Sequence, residues 1–207
     1  MNLVGVMPPS LILASASLSR RKMLINAGLS FDIEPAGVDE EEITRSLGAK
    51  ASPQELATTL AEMKAVRVSS KHPDAVVIGA DSTLACNGRL FDKPPTMEAA
   101  RKQLMMLRGQ THELFSSVVV ARGGARIWHW AERGRLTMRS FNEAFVDAYL
   151  ARAGKDVLTS VGAYQLEGLG AHLFTRVDGD YFTILGLPLL PLLSFLAGHG
   201  ISLEKAA

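Results

Sequence analysis

The sequence predicts an α/β domain built on a mixed sheet. Uninterrupted apolar runs at residues 11–14 and 75–80 have the make-up of strands buried on both faces. Between them, Ser52-Pro53 followed by Glu55 marks a helix start with a capping box and proline at the first helical position. Asn87-Gly88, set between apolar-rich flanks, is the signal of a two-residue hairpin, so part of the sheet runs antiparallel.

Residues 1–9 read as a loose lead-in and 10–207 as a single domain. The first strand, 11–14, is followed by Ser15, Ser17 and Ser19. A helix is then expected from about Arg20 to Ala27, closed by Gly28. Residues 31–35 suit a second strand, and 39–42 an acidic loop. In the helix over 53–69, Leu56, Leu60 and Met63 mark one face. The strand at 75–80 leads into the hairpin. A helix over 97–107 is capped by Thr96 and ends near Gly109. Strands at 114–121 and 126–138 turn at Gly123-Gly124. Ser140 and Glu143 predict a second capping box, for a helix from Phe141 to about Ala153. Asp178-Gly179 marks a tight turn, and Pro188 opens a C-terminal helix. Strands and helices interleave without repeats or low-complexity linkers, which favours the α/β class with a mixed sheet.

Composition narrows the function classes. The 207 residues carry 22 basic and 21 acidic side chains, so no field of one sign exists to hold a nucleic-acid polymer or an anionic membrane. The lone cysteine, Cys86, rules out an intrachain disulfide framework and a multi-thiolate metal site. The apolar stretch 184–197 is too short for a membrane span and holds Pro188 and Pro191. Ala14-Ser15-Ala16 imitates a signal-peptidase site, but no Lys or Arg precedes it and Pro8-Pro9 interrupts the apolar stretch. A cytoplasmic location is expected.

Two segments stand out as sites. In the turn from Ser15 to Lys22, Arg20, Arg21 and Lys22 crowd the positive end of a helix, where each cation costs about 0.3–1 kcal/mol. An anion at that end would reverse the cost, held by free backbone N–H groups and serine hydroxyls; an ordinary solvated helix start is the plain alternative. Asp81 follows a buried strand, where a carboxylate is placed to hold a metal or activate water, although an aspartate capping its own turn beside Ser82 and Thr83 fits as well. Lys64 lies one turn past Leu60, within reach of a cleft or of solvent. Lys93, between Asp92 and Pro94, reads as a surface loop residue, His112 and His172 as structural, and Cys86 as packing. There is no Walker A loop, HExxH, GxSxG or GxGxxG motif.

Taken together, several segments in order resemble the Maf-like nucleotide pyrophosphatase family. They are Leu11-Ile-Leu-Ala-Ser-Ala-Ser with Arg20, Val38-Asp39-Glu40, Ile78-Gly79-Ala80-Asp81, Asp92-Lys93-Pro94 and Leu107-Arg108-Gly109-Gln110-Thr111-His112. Gly162-Ala163-Tyr164, Glu167-Gly168 and Gly186-Leu187-Pro188 extend the likeness, which covers about residues 10–197. The resemblance implies a mixed twisted sheet in two lobes with a central cleft, of the inosine-triphosphatase type, often dimeric. It also implies hydrolysis of a nucleoside triphosphate to the monophosphate and diphosphate with Mg²⁺ or Mn²⁺. On this reading Asp81 is the proton acceptor and, with Glu40, holds the metal. Lys64 and Lys93 are catalytic, and Ser15, Ser17 and Arg20 bind phosphate.

The same resemblance assigns base specificity to Ser19, Ser82 and Glu167. One branch of the family, acting on dTTP and UTP, tends to carry Arg, Thr and Gln there. The other, acting on 7-methyl-GTP, carries Trp, Gln and Glu. Only Glu167 matches either set. A carboxylate can accept from both N1–H and the exocyclic amine of guanine, so 7-methyl-GTP is the favoured substrate. The missing Trp removes a stacking surface, and Gly162-Ala163-Tyr164 looks more like the pyrimidine branch. A nucleotide-binding regulator of cell division with little turnover, and a phosphatase acting on monoesters, are the readings from other classes.

Overall fold

The computed structural model describes residues 9–48 and 51–203; the predicted lead-in falls, up to residue 8, outside the described residues. The elements run β1 (Leu11–Leu13), α1 (Leu18–Asn26), β2 (Asp32–Ile33), α2 (Glu40–Leu47), α3 (Pro53–Ser69), β3 (Val76–Cys86), β4 (Arg89–Phe91) and α4 (Met97–Leu107). Then follow β5 (Thr111–Arg122), β6 (Ala125–Met138), α5 (Glu143–Ala153), three short 3-10 turns, β7 (Phe174–Asp178), α6 (Tyr181–Ile184) and α7 (Leu189–Gly198). Among the described residues no helix is long and apolar enough to cross a membrane.

Most predicted elements are present, with five corrections. Helix α1 begins two residues earlier than expected, because the Ser17 hydroxyl accepts the Arg20 N–H and so acts as its N-cap. The second strand shrinks to Asp32–Ile33. The acidic stretch is no loop: Asp39 caps α2, and Glu40, Glu41 and Glu42 fill its first turn, where negative charge offsets the positive end of the helix. The strand predicted to stop at Ala80 continues to Cys86, because β5 pairs with it from Val77 to Ala85, and Asp81 therefore sits within a strand rather than capping a turn. Finally, α5 is capped by Asn142, whose side chain accepts the Phe145 N–H at 2.9 Å, and not by Ser140. Asn caps as well as Ser does, and Phe141 is drawn into the core instead of opening the helix.

The sheet order is β2-β1-β3-β5-β6-β7, with β4 paired to β3. Strand β1 is parallel to both its neighbours, and the remaining pairings are antiparallel. One edge of β3 is covered throughout by β5. On the other edge β1 covers Val76–Ile78 and β4 covers Leu84–Cys86, leaving residues 79–83 with an open side. The apolar core divides at the same place. One cluster gathers Leu13, Ile78, Ala80, Leu187 and Leu192, and another gathers Leu84, Leu104, Leu136 and Tyr164. Two lobes thus share β3, and the seam between them exposes the stretch that carries Asp81.

Helix α3 lies directly on this strand. Ala57, Ala61 and Ala65 are fully buried, and a Cβ at Gly79 would collide with the Ala61 carbonyl and lie 2.7 Å from the Ala65 nitrogen. The absence of a side chain at Gly79 lets the helix backbone settle onto the sheet, which brings the next turn of α3, with Lys64, over Asp81.

His112 belongs to the second core. Its Nε2 lies 2.8 Å from the Tyr164 hydroxyl and its ring packs against Tyr164 and Phe174. Burial lowers its pKa to about 4 from an ordinary 6.5, so it is neutral in the fold. The unfolded chain takes up this proton first, so stability is complete above about pH 6.5 and falls by about 3 kcal/mol as pH drops towards 4. Urea unfolding at about pH 7.5 and pH 4.5 should show a smaller loss in His112→Gln than in the parent; parallel losses would deny His112 that share.

Candidate active site

Strand β1 ends at the seam, and the chain turns through Ala14 and Ser15 into α1. That turn delivers Arg20 into the protein interior, with 9% of the residue exposed. Its Nε donates to the Gly186 carbonyl at 2.8 Å, Nη1 to Ser15 Oγ at 3.2 Å and Nη2 to Ser82 Oγ at 3.1 Å. All three acceptors are neutral, and among the described residues Arg20 has no ion-pair partner. Burial lowers its pKa, while the charges of Asp81 and Glu40 act to raise it, and the guanidinium remains a cation. Gly186 holds φ at +101°, and a side chain there would press on Ser82 Oγ. Among the described residues three of the five N–H groups of Arg20 are engaged, so two remain for an anion.

Asp81 and Ser82 are successive residues of β3 and point to opposite faces of the sheet. Ser82 meets Arg20 on one face, while on the other the Lys64 ammonium lies 2.6 Å from Asp81 Oδ1 and 2.5 Å from Glu40 Oε1. The cluster therefore straddles the open edge of β3. The Lys64 and Asp81 side chains are nearly buried, whereas that of Glu40, the first residue of α2, is half exposed. Partial burial pushes the Glu40 carboxyl up. The hydrogen bond from Lys64 and the charges of Lys64, Lys93 and Arg20 outweigh this and hold it below the usual carboxylate range. Three cations and two carboxylates thus act on one short stretch of open strand edge.

The Maf-like protein family matches residues 10–199, almost the whole described chain. The chain belongs to this family. The Maf-like protein is 54% identical over 190 residues to a nucleoside triphosphate pyrophosphatase of Paramagnetospirillum magneticum, covering 91% of this chain and 98% of that one. It is 47% identical over 202 residues to a protein of the same name from Rhodospirillum rubrum, covering 97% and 100%. With a 7-methyl-GTP pyrophosphatase of Brucella abortus it shares 48% identity over 191 residues, covering 92% and 96%. It also aligns, at 18% identity and a TM-score of 0.35, with 75% of a solved dITP/XTP pyrophosphatase from Mycobacterium abscessus, over 64% of its own length.

In the Maf-like protein, Ser15, Arg20, Glu40, Lys64, Asp81 and Ser82 meet at the seam. Lys93 is exposed and reaches them through its charge. Ser17 caps α1, and the Ser19 hydroxyl donates to the Leu185 carbonyl at 3.1 Å, tying α1 to the Gly186 loop. Glu167 stands exposed in the turn at 166–168, and among the described residues neither a hydrogen bond nor an ion pair joins it to the cluster. Tyr164, by contrast, is buried on His112, so the Gly162-Ala163-Tyr164 segment serves the core.

Two participants escaped the sequence reading. The Gly186 carbonyl carries no side-chain signal, although the Gly186-Leu187-Pro188 segment is part of the family resemblance. Ser116 is one serine in an apolar strand, yet its buried hydroxyl lies 2.9 Å from that of Ser82 and holds it in place for Arg20. As to a metal, Asp81 and Glu40 offer hard oxygen donors to a single cation position, and among the described residues no group of three or more His, Cys, Asp or Glu is assembled. Two carboxylates completed by phosphate oxygens and water are the usual Mg²⁺ arrangement, so the residues present fit such an ion.

Proposed function

We propose that the protein hydrolyses a nucleoside triphosphate to the monophosphate and diphosphate, with 7-methyl-GTP favoured. The observation that carries this reading is Arg20: a buried guanidinium held by neutral acceptors, without an anionic partner among the described residues, beside paired carboxylates on an open strand edge. Such a cation is built to receive an anion of the substrate. The family relatives named nucleoside triphosphate pyrophosphatase support the reaction class.

The residues then divide the work. Arg20, with its two free N–H groups, binds the phosphate chain, and Lys64 and Lys93 add charge against it. Asp81 accepts the proton of the water that attacks the α-phosphorus, and diphosphate leaves. Asp81 and Glu40 are the groups that would hold a divalent ion, which when bound supplies charge neutralisation to the phosphates. The protein's own contribution is positioning and preorganised charge, the main source of catalysis in phosphoryl transfer. The single cysteine, buried and unpaired, suits a reducing cytoplasmic setting.

The base preference rests on Glu167, an exposed carboxylate able to accept from two donors of guanine, and on the Brucella relative named for 7-methyl-GTP. The test is diphosphate release with Mg²⁺ and with Mn²⁺ across 7-methyl-GTP, GTP, dTTP, UTP and 5-methyl-UTP. Preference for 7-methyl-GTP that falls by about tenfold or more in Glu167→Gln supports the assignment, since a site built to pair a donor discriminates strongly. Preference for dTTP and UTP would overturn it in favour of the pyrimidine branch. Binding without release would point to a nucleotide-responsive regulator, and orthophosphate as the first product to a monoester phosphatase.

A further inference from the structure

We infer that Lys64 keeps the acidic pair closed to a divalent cation in the free protein, so that a metal is admitted only together with the phosphates of the nucleotide. The inference rests on the phosphate-cleaving reading above and concerns the order in which that site is filled.

The Lys64 ammonium contacts Asp81 Oδ1 at 2.6 Å and Glu40 Oε1 at 2.5 Å. It therefore occupies the position from which one cation can serve both carboxylates. No other cation touches them among the described residues: Arg20 is turned to Ser15, Ser82 and Gly186, and exposed Lys93 acts on Glu40 at a distance. The two carboxylates are already offset by Lys64 in contact and by the charge of Arg20 across the strand. A divalent ion added beside the ammonium would leave a positive excess next to the nearly buried Asp81, where solvent screens less than at the surface. Lys64 can yield without the fold moving. Its helix backbone is pinned on β3 at Gly79, while its four-carbon stem is flexible. A triphosphate supplies the oxygens to which the ammonium can turn, releasing Asp81 and Glu40. Metal and nucleotide then raise each other's affinity by the same factor.

The experiment titrates Mn²⁺ into the full chain and follows free Mn²⁺ by electron paramagnetic resonance, with and without an α,β-methylene nucleoside triphosphate that resists cleavage. Binding should be at least about tenfold tighter with the analogue than without it. Lys64→Met alone should gain about tenfold or more without nucleotide, and adding Asp81→Asn should abolish the gain. Lys93→Met removes a nearby charge that makes no contact and should gain far less. Tight Mn²⁺ binding by the unmodified chain without analogue, or equal gains from Lys64→Met and Lys93→Met, would overturn the inference. If Lys64→Met does not fold, Lys64→Gln, which removes the charge and keeps a polar stem, replaces it, and the Mn²⁺ taken up by the analogue alone is subtracted throughout. Calorimetry with the analogue separates the two readings. A protein that binds no nucleotide refutes the phosphate-cleaving function, while the metal comparison between Lys64 and Lys93 variants still judges the role of Lys64.

Discussion

Replacing Asp81 by Asn is expected to lower turnover of the preferred triphosphate by about 10²–10⁴-fold, the usual contribution of a positioned proton acceptor. The amide keeps the size of the carboxylate and an oxygen that can accept from the Lys64 ammonium, now 2.6 Å away. It cannot take a proton from water. Lys64 retains Glu40 as an ion-pair partner, so no buried cation is stranded and the fold should survive. Arg20 reaches Ser82 on the opposite face of the strand, so phosphate binding should change much less than turnover. The measurements are kcat and KM for diphosphate release, with near-ultraviolet circular dichroism to confirm folding. Near-parental turnover from a folded Asp81→Asn protein would remove Asp81 from the proton-accepting role.

Gly79→Ala should damage both stability and activity, through one cause. The backbone of Gly79 is in an ordinary extended strand, so the cost is not conformational. It is steric, since the added methyl meets the α3 backbone at Ala61 and Ala65, atoms that cannot rotate away. Overpacking of this kind costs about 1–3 kcal/mol, and here the obstacle is a whole helix rather than a side chain. Relief requires α3 to lift from β3, carrying Lys64 away from Asp81. A displacement near 1 Å at a catalytic site can cost about 10²-fold in rate. Urea unfolding and diphosphate release on the same preparation check the pair of effects. Parental stability with parental turnover would show that the helix has room to spare at this crossing.

The elements legible in the sequence were those held by short-range bonds. The capping box of Ser52 and Glu55 is present with both its hydrogen bonds, and the Asn87-Gly88 turn adopts φ of 50° and 76° between strands paired at Cys86 and Arg89. Where two local signals compete, tertiary burial decides. Ser140 and Asn142 are both good caps, and burial of Phe141 decided between them. The acidic run suits a loop by composition, whereas Asp39 caps it into the start of a helix and so brings Glu40 to the site.

Residue identities, order and turn chemistry thus determined the α/β class, most helix starts, the hairpin and the family, together with the cast of charged residues from Arg20 to Lys93. Only the tertiary structure decided what those residues do to one another. Arg20 bonds to a carbonyl 166 positions away, and Lys64 crosses from α3 to a strand 17 positions on. The open edge of β3 exists because pairing with β1 stops at Ile78 and pairing with β4 begins at Leu84, which is a property of pairing and not of any one segment. Contacts between distant segments depend on how sheet and helix pack, and that packing is set by the close approach at Gly79, where the relevant feature is a missing side chain.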